Sequence, residues 1–132
     1  MGQVRKMKKD KKLSVTKVFT MDCAHRLRDY DGKCANLHGH TYRLEITVTG
    51  PVDDRGMIVD FGDLKTLVDR LVISRIDHRC LNDIMEANPT AENMCRVIWD
   101  ILEEPVEEWG CILRRIVLWE TPTSCCTLEG ED

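Results

Sequence analysis

No apolar run in these 132 residues approaches the roughly 18 needed to cross a bilayer, so a membrane-spanning helix is excluded. The early Lys and Arg residues are not followed by an apolar stretch, so no secretory signal is expected. There is no Gly/Ser-rich linker and no internal repeat, and the length is that of one domain. A complete disulfide framework is excluded because the cysteine count is odd, at 7. With no sign of export, the thiols are expected to be reduced and the protein cytoplasmic. No C-x-x-C pair is present, which excludes zinc-finger spacing. Aromatic residues are few, with 2 Phe and 2 Tyr beside 7 Cys and 4 His.

Positive charge is also scarce once the first residues are set aside. Residues 1–12 hold six Lys or Arg and one Asp; the other 120 carry 13 basic and 22 acidic groups. An acidic body argues against nucleic-acid binding as the main task. Residues 1–12 read as a basic, flexible tail, and 13–132 as a single domain.

Leu13, Val15, Phe19 and Met21 alternate with mostly polar neighbours, which predicts a strand over 13–21. Tyr42, Leu44, Ile46 and Val48 alternate with Arg43, Glu45, Thr47 and Thr49, and Gly50-Pro51 ends that second strand. Asp60 can cap a helix carrying Leu64, Leu67, Val68, Leu71 and Val72 on one stripe. Pro89-Thr90 opens a second helix, striped by Met94, Val97, Ile98, Ile101 and Leu102 and expected to stop at Pro105. Residues 112–120 read as a third strand, with Pro122-Thr123-Ser124 turning into a short last one. The order β-β-α-α-β-β predicts an α+β fold on an antiparallel sheet. Open sheet edges would favour self-association.

His38 and His40 are two apart at the start of the second strand, so both project from the face that continues through Tyr42. His25 lies just past the end of the first strand, which can pair beside the second. Three imidazoles converging at one sheet end would suit Zn²⁺ with a fourth position left open, the pattern of catalytic zinc; the alternative is a set of unrelated polar loop residues. Cys34 lies four residues before His38, next to Lys33. It reads as a base or nucleophile, as a fourth ligand, or as an inert thiol. Asp77 directly precedes His78, as a carboxylate that orients an imidazole or as a solvated pair. Glu120 ends an otherwise apolar strand, either solvated or matched to two N–H donors on one edge of a heterocycle.

Six stretches, in order, resemble the 6-pyruvoyl-tetrahydropterin synthase family. They are Phe19–Leu27, Cys34–His40, Gly56–Leu64, Asp77–Asn82, Pro89–Asn93 and Trp119–Thr121. The resemblance implies the tunnelling fold, whose subunits close a barrel edge to edge and stack as two trimers into a homohexamer with active sites between subunits. It implies His25, His38 and His40 as zinc ligands, Cys34 as the catalytic thiol, and Asp77 with His78 as a proton relay reaching that thiol across a subunit boundary. It implies Glu120 as the anchor of the pterin ring of 7,8-dihydroneopterin triphosphate. The Cys-x3-His-Gly-His spacing resembles the members that make 6-carboxy-tetrahydropterin for queuosine-type deazaguanine synthesis, releasing acetaldehyde and triphosphate. The alternative within the family is 6-pyruvoyl-tetrahydropterin formation. Two readings from other classes are a non-catalytic zinc-stabilised assembly module and a nucleic-acid accessory protein acting through residues 1–12. Arg26, Arg28 and Lys33 are the nearby cations that could meet the triphosphate. Cys23 stands where the family usually has a small apolar residue, and it is a possible competitor for zinc.

Overall fold

Alternating apolar residues set the first two strands, β1 (Ser14–His25) and β2 (His38–Thr49), which pair antiparallel from Ser14 opposite Thr49 to His25 opposite His38. The computed structural model describes residues 11–130. Phe19, Met21, Cys23 and His25 of β1 are buried, as are Tyr42, Leu44, Ile46 and Val48 of β2. β1 therefore runs four residues beyond the expected span and carries His25 within the strand. Of the expected basic tail, residues 1–10 lie outside the described ones.

Helix α1 (Phe61–Val68) starts where Asp60 accepts hydrogen bonds from the Gly62 and Asp63 N–H groups at 2.7 and 3.1 Å. It continues through a π-helical turn (Asp69–Ile73) into a last α-turn (Ser74–Ile76). Leu64, Leu67, Val68, Val72 and Ile76 face the core. Helix α2 spans Ala91–Glu107, and its cap residue Thr90 accepts from the Asn93 N–H at 3.1 Å. Its buried stripe is Met94, Cys95, Ile98, Leu102 and Val106, with Val97 exposed where the periodicity predicted it buried. The helix also passes the expected stop: Pro105 lies inside it. Proline removes one backbone donor late in the helix, while burial of Val106 holds the final turn against the core.

The sheet has five strands in the order β3-β1-β2-β4-β5 and is mixed, which corrects the expected four-stranded antiparallel sheet. The added strand β3 (Arg79–Cys80) lies parallel to β1, with Cys23 opposite Arg79 and Ala24 opposite Cys80. Two residues are too few to show periodicity. β4 (Ile112–Thr121) pairs antiparallel with β2, and β5 (Ser124–Glu129) with β4 through the expected turn. Helix α2 packs on β4 and β5, so one face of the sheet meets the helices across the apolar core. Among the described residues no helix is long and apolar enough to cross a membrane.

β4 changes parity once. Thr47 pairs with Arg115 but Val48 with Leu113, so Arg114 is the extra residue of a bulge against β2, and its carbonyl accepts from the Gly130 N–H at 2.9 Å. Leu113, Ile116 and Leu118 are consequently all buried. A second irregularity lies at Glu120, between Trp119 opposite Cys125 and Thr121 opposite Ser124. Bulges of this kind re-aim side chains at sheet ends.

Candidate metal centre and proton-transfer pair

Strand pairing brings the three histidines together. His25 and His38 are directly opposed at the end of the β1–β2 ladder, and His40 is the next residue on the same face of β2. The ring centroids lie 4.7 Å (His25–His38), 4.8 Å (His38–His40) and 5.2 Å (His25–His40) apart. One ligating nitrogen from each falls within 4.8 Å of the others.

Two of the tautomers are dictated by backbone carbonyls. His25 Nδ1 lies 2.8 Å from the Pro89 oxygen, and His38 Nδ1 lies 2.7 Å from the Asn36 oxygen. A carbonyl only accepts, so both Nδ1 atoms carry the proton and both Nε2 atoms present lone pairs. Those Nε2 atoms face each other at 3.1 Å. Two lone pairs at that distance repel unless a cation lies between them. Two nitrogens bound tetrahedrally to one zinc ion, each at about 2.0–2.1 Å, sit about 3.3 Å apart. The donor set therefore fits a metal ion. Burial lowers the pKa of His40, against an opposing pull from Glu120, and so favours the neutral ring that can ligate.

Glu120 reaches the same point. Its Oε1 lies 3.4 Å from His25 Nε2 and 3.8 Å from His40 Nε2, with the side chain 28% exposed. This proximity is not readable from sequence, because the parity change at Arg114 precedes it. The Tyr42 hydroxyl stands 3.3 Å from His25 Nδ1, and burial raises its pKa, keeping it protonated.

Asp77 and His78 make contact, with Asp77 Oδ2 3.0 Å from His78 Nδ1. The carboxylate holds the Nδ1 proton, so Nε2 is free to accept another. Asp77 Oδ1 accepts from the Asp22 N–H at 2.9 Å, and the His78 N–H donates to the Asp22 oxygen at 2.7 Å. These bonds start the β1–β3 pairing and fix His78 in a left-handed conformation, at φ 61°. The Asp22 N–H, and after it His78, hold the Asp77 carboxyl below its ordinary pKa. Asp22 is in turn bonded by the Thr41 hydroxyl at 2.5 Å. Neither Asp22 nor Thr41 carries a sequence signal for this role. An open cleft of about 470 Å³, lined by Asp22, Gly39, His40, Thr41 and His78 among others, joins the histidine cluster to this pair.

Cys34 sits in a 3₁₀ turn (Lys33–Ala35), half-buried, with its backbone oxygen accepting from the Leu27 N–H at 2.8 Å. Its thiol makes no hydrogen bond among the described residues, and it belongs to neither titratable group. Cys23 is no competitor for the metal. Its thiol lies 3.5 Å from the Ile76 oxygen in the core, and burial pushes its pKa up to about 12, with Asp77 and Asp22 adding to the effect. The loop after β1 is clamped by two asparagines. Asn82 bonds both backbone groups of Arg26, and Asn88 bonds both of Arg28. The Arg28 side chain donates to the Glu86 oxygen at 2.7 Å.

A family model described as 6-pyruvoyl tetrahydropterin synthase matches residues 14–131. A 6-carboxy-5,6,7,8-tetrahydropterin synthase of Haemophilus influenzae is 34% identical over 87% of this chain and 97% of its own. A 6-pyruvoyl tetrahydrobiopterin synthase of Drosophila melanogaster is 32% identical over 88% of this chain and 79% of its own. The solved structure of the 6-pyruvoyl tetrahydropterin synthase of Caenorhabditis elegans superposes with a TM-score of 0.80 at 27% identity, covering 95% of this chain and 100% of that one.

Proposed function

This chain belongs to the 6-pyruvoyl tetrahydropterin synthase family, and on that premise we propose that it converts 7,8-dihydroneopterin triphosphate to 6-carboxy-5,6,7,8-tetrahydropterin, releasing acetaldehyde and triphosphate. The observation that carries the reading is the facing pair of Nε2 lone pairs on His25 and His38, beside His40. These three residues would hold Zn²⁺. The ion, when bound, supplies Lewis acidity that makes the hydroxyls of the pterin side chain easier to deprotonate.

The rest of the chemistry falls to the protein's own side chains. Asp77 orients His78 through Nδ1, leaving the exposed Nε2 to take up or return a proton. Cys34 acts as the second proton carrier, meeting the Asp77-His78 pair of a neighbouring subunit. That arrangement is in keeping with a thiol that has no partner among the described residues of its own chain. Glu120 accepts two N–H groups from the pterin ring edge, which sets the side chain over the histidines. The self-association this requires is a homohexamer of two trimers, joined through the sheet edges at β3 and β5. Cysteines that are all free suit a reducing cytoplasm.

The 6-carboxy product is favoured by the Cys-x3-His-Gly-His spacing and by the similarity to the Haemophilus synthase. A second reading, formation of 6-pyruvoyl-tetrahydropterin, is supported by the similarity to the Drosophila enzyme. The deciding experiment supplies zinc-loaded protein with 7,8-dihydroneopterin triphosphate. Acetaldehyde and 6-carboxy-tetrahydropterin are expected. 6-Pyruvoyl-tetrahydropterin would select the second reading, and absence of turnover with zinc bound would refute both.

A further inference from the structure

Glu120 is in contact with two imidazoles, one of which cannot bond to it as a neutral ring. The Nδ1 proton of His25 is committed to Pro89, so His25 Nε2 carries a lone pair, and the carboxylate oxygen 3.4 Å away carries more. Two acceptors do not attract each other. The carboxylate has no partner among the described residues other than His25 and His40. It is therefore held where a cation shared with the histidines would satisfy it. The separations agree with this. Donor atoms around one tetrahedral zinc ion lie about 3.3 Å apart. The Nε2 atoms of His25 and His38 are 3.1 Å apart, and Glu120 Oε1 is 3.4 and 3.8 Å from those of His25 and His40.

We propose that, before substrate binds, Glu120 supplies the fourth ligand to the metal held by His25, His38 and His40, and that it leaves this position when a pterin arrives. The inference rests on the metal-site reading above and deepens it. It assigns Glu120 two duties that exclude each other in time: closing the metal site in the free protein, and binding the ring N–H edge in the complex. The bulge against β5 and the partial exposure of the side chain give the carboxylate room to swing between them. A site with four protein donors is closed, in the manner of structural zinc sites, and only the ligand that removes Glu120 opens it.

The test loads metal-free protein with Co²⁺ and reads its visible absorption, together with affinity by chelator competition, for wild type, Glu120→Gln and Glu120→Ala. Wild type is expected to show a four-coordinate spectrum. Both variants should bind Co²⁺ about 10–100-fold more weakly with a changed band. Acetate should move the spectrum of Glu120→Ala back toward wild type and leave wild type unaltered. Neopterin should shift the wild-type spectrum while the Co²⁺ stays bound. Unchanged affinity and spectrum in both variants, with wild type still binding the ion, would overturn the proposal and leave the three-histidine site standing. Failure of wild type to take up Co²⁺ would overturn both.

Discussion

The ring of His25 donates from Nδ1 to the carbonyl of Pro89, 2.8 Å away, joining the end of β1 to the residue just before the Thr90 cap of α2. One hydrogen bond thus orients a proposed metal ligand and ties the sheet to the helix layer. Metal ligands are commonly fixed through their second nitrogen in this way.

That bond separates two substitutions that look equivalent on paper. His38→Ala removes a partly exposed ring and should abolish tight metal binding while leaving the fold near wild-type stability. His25→Ala should also lose the metal. It additionally leaves the buried Pro89 carbonyl without its partner, costing about 1–3 kcal/mol in the metal-free protein. Chemical unfolding of the two metal-free variants, with metal content by mass spectrometry, checks both halves. Equal stability of the two would contradict the structural role of His25.

Cys34 lies outside the histidine cluster, so its loss should spare the metal. Cys34→Ala is expected to retain wild-type zinc content and to reduce turnover by at least about 100-fold, the usual worth of a positioned proton carrier. Zinc loss in this variant would make the thiol a ligand.

Asp77 is held below its ordinary pKa, first by the Asp22 N–H and then by His78. A depressed folded-state pKa means stability that is complete above the unfolded value of about 3.9 and is lost as pH falls through the folded value. The difference in melting temperature between wild type and Asp77→Asn should stay constant from neutral pH down to about pH 5 and shrink on further acidification. A difference that grows in acid would reverse the sign argued here.

The Thr90 hydroxyl caps α2 through the Asn93 N–H. Thr90→Ala should cost about 1 kcal/mol and Thr90→Ser much less, as read by denaturant midpoints at constant m-value.

The cysteines should divide by reactivity. Cys125 is exposed, whereas Cys23 and Cys95 are buried with pKa values pushed up to about 12, chiefly by that burial. Brief alkylation with iodoacetamide at pH 8, followed by peptide mass spectrometry, should label Cys125 and leave those two unmodified.

Much of the site was legible because strand periodicity is exact. The two-residue spacing of His38 and His40 placed both on the Tyr42 face, and pairing with β1 delivered His25 to them. The Asp77-His78 contact was also readable as a local possibility. What could not be read came from long-range pairing. β3 is two residues long, and it forms because Asp22 offers both backbone groups to the 77–78 turn. The Pro89 and Asn36 carbonyls that set the tautomers are backbone atoms with no sequence signature. Pro105 lies inside α2 rather than ending it, because burial of Val106, to which local propensity is blind, holds the final turn.

The bulge at Arg114 has a consequence for how this chain tolerates change in length. With every residue present but paired without a bulge, a strand anchored at Leu113 would carry Arg115, Val117 and Trp119 inward and turn Glu120 to the opposite face. Counting in twos, the strand holds a phase, and Arg114 is the half-step that sets it for everything downstream. Deleting Arg114 would close the bulge and leave Ile116, Leu118 and Glu120 on their present face, whereas deleting one residue between Ile116 and Glu120 would turn Glu120 away. The face that Glu120 presents is addressed by a count made six residues earlier.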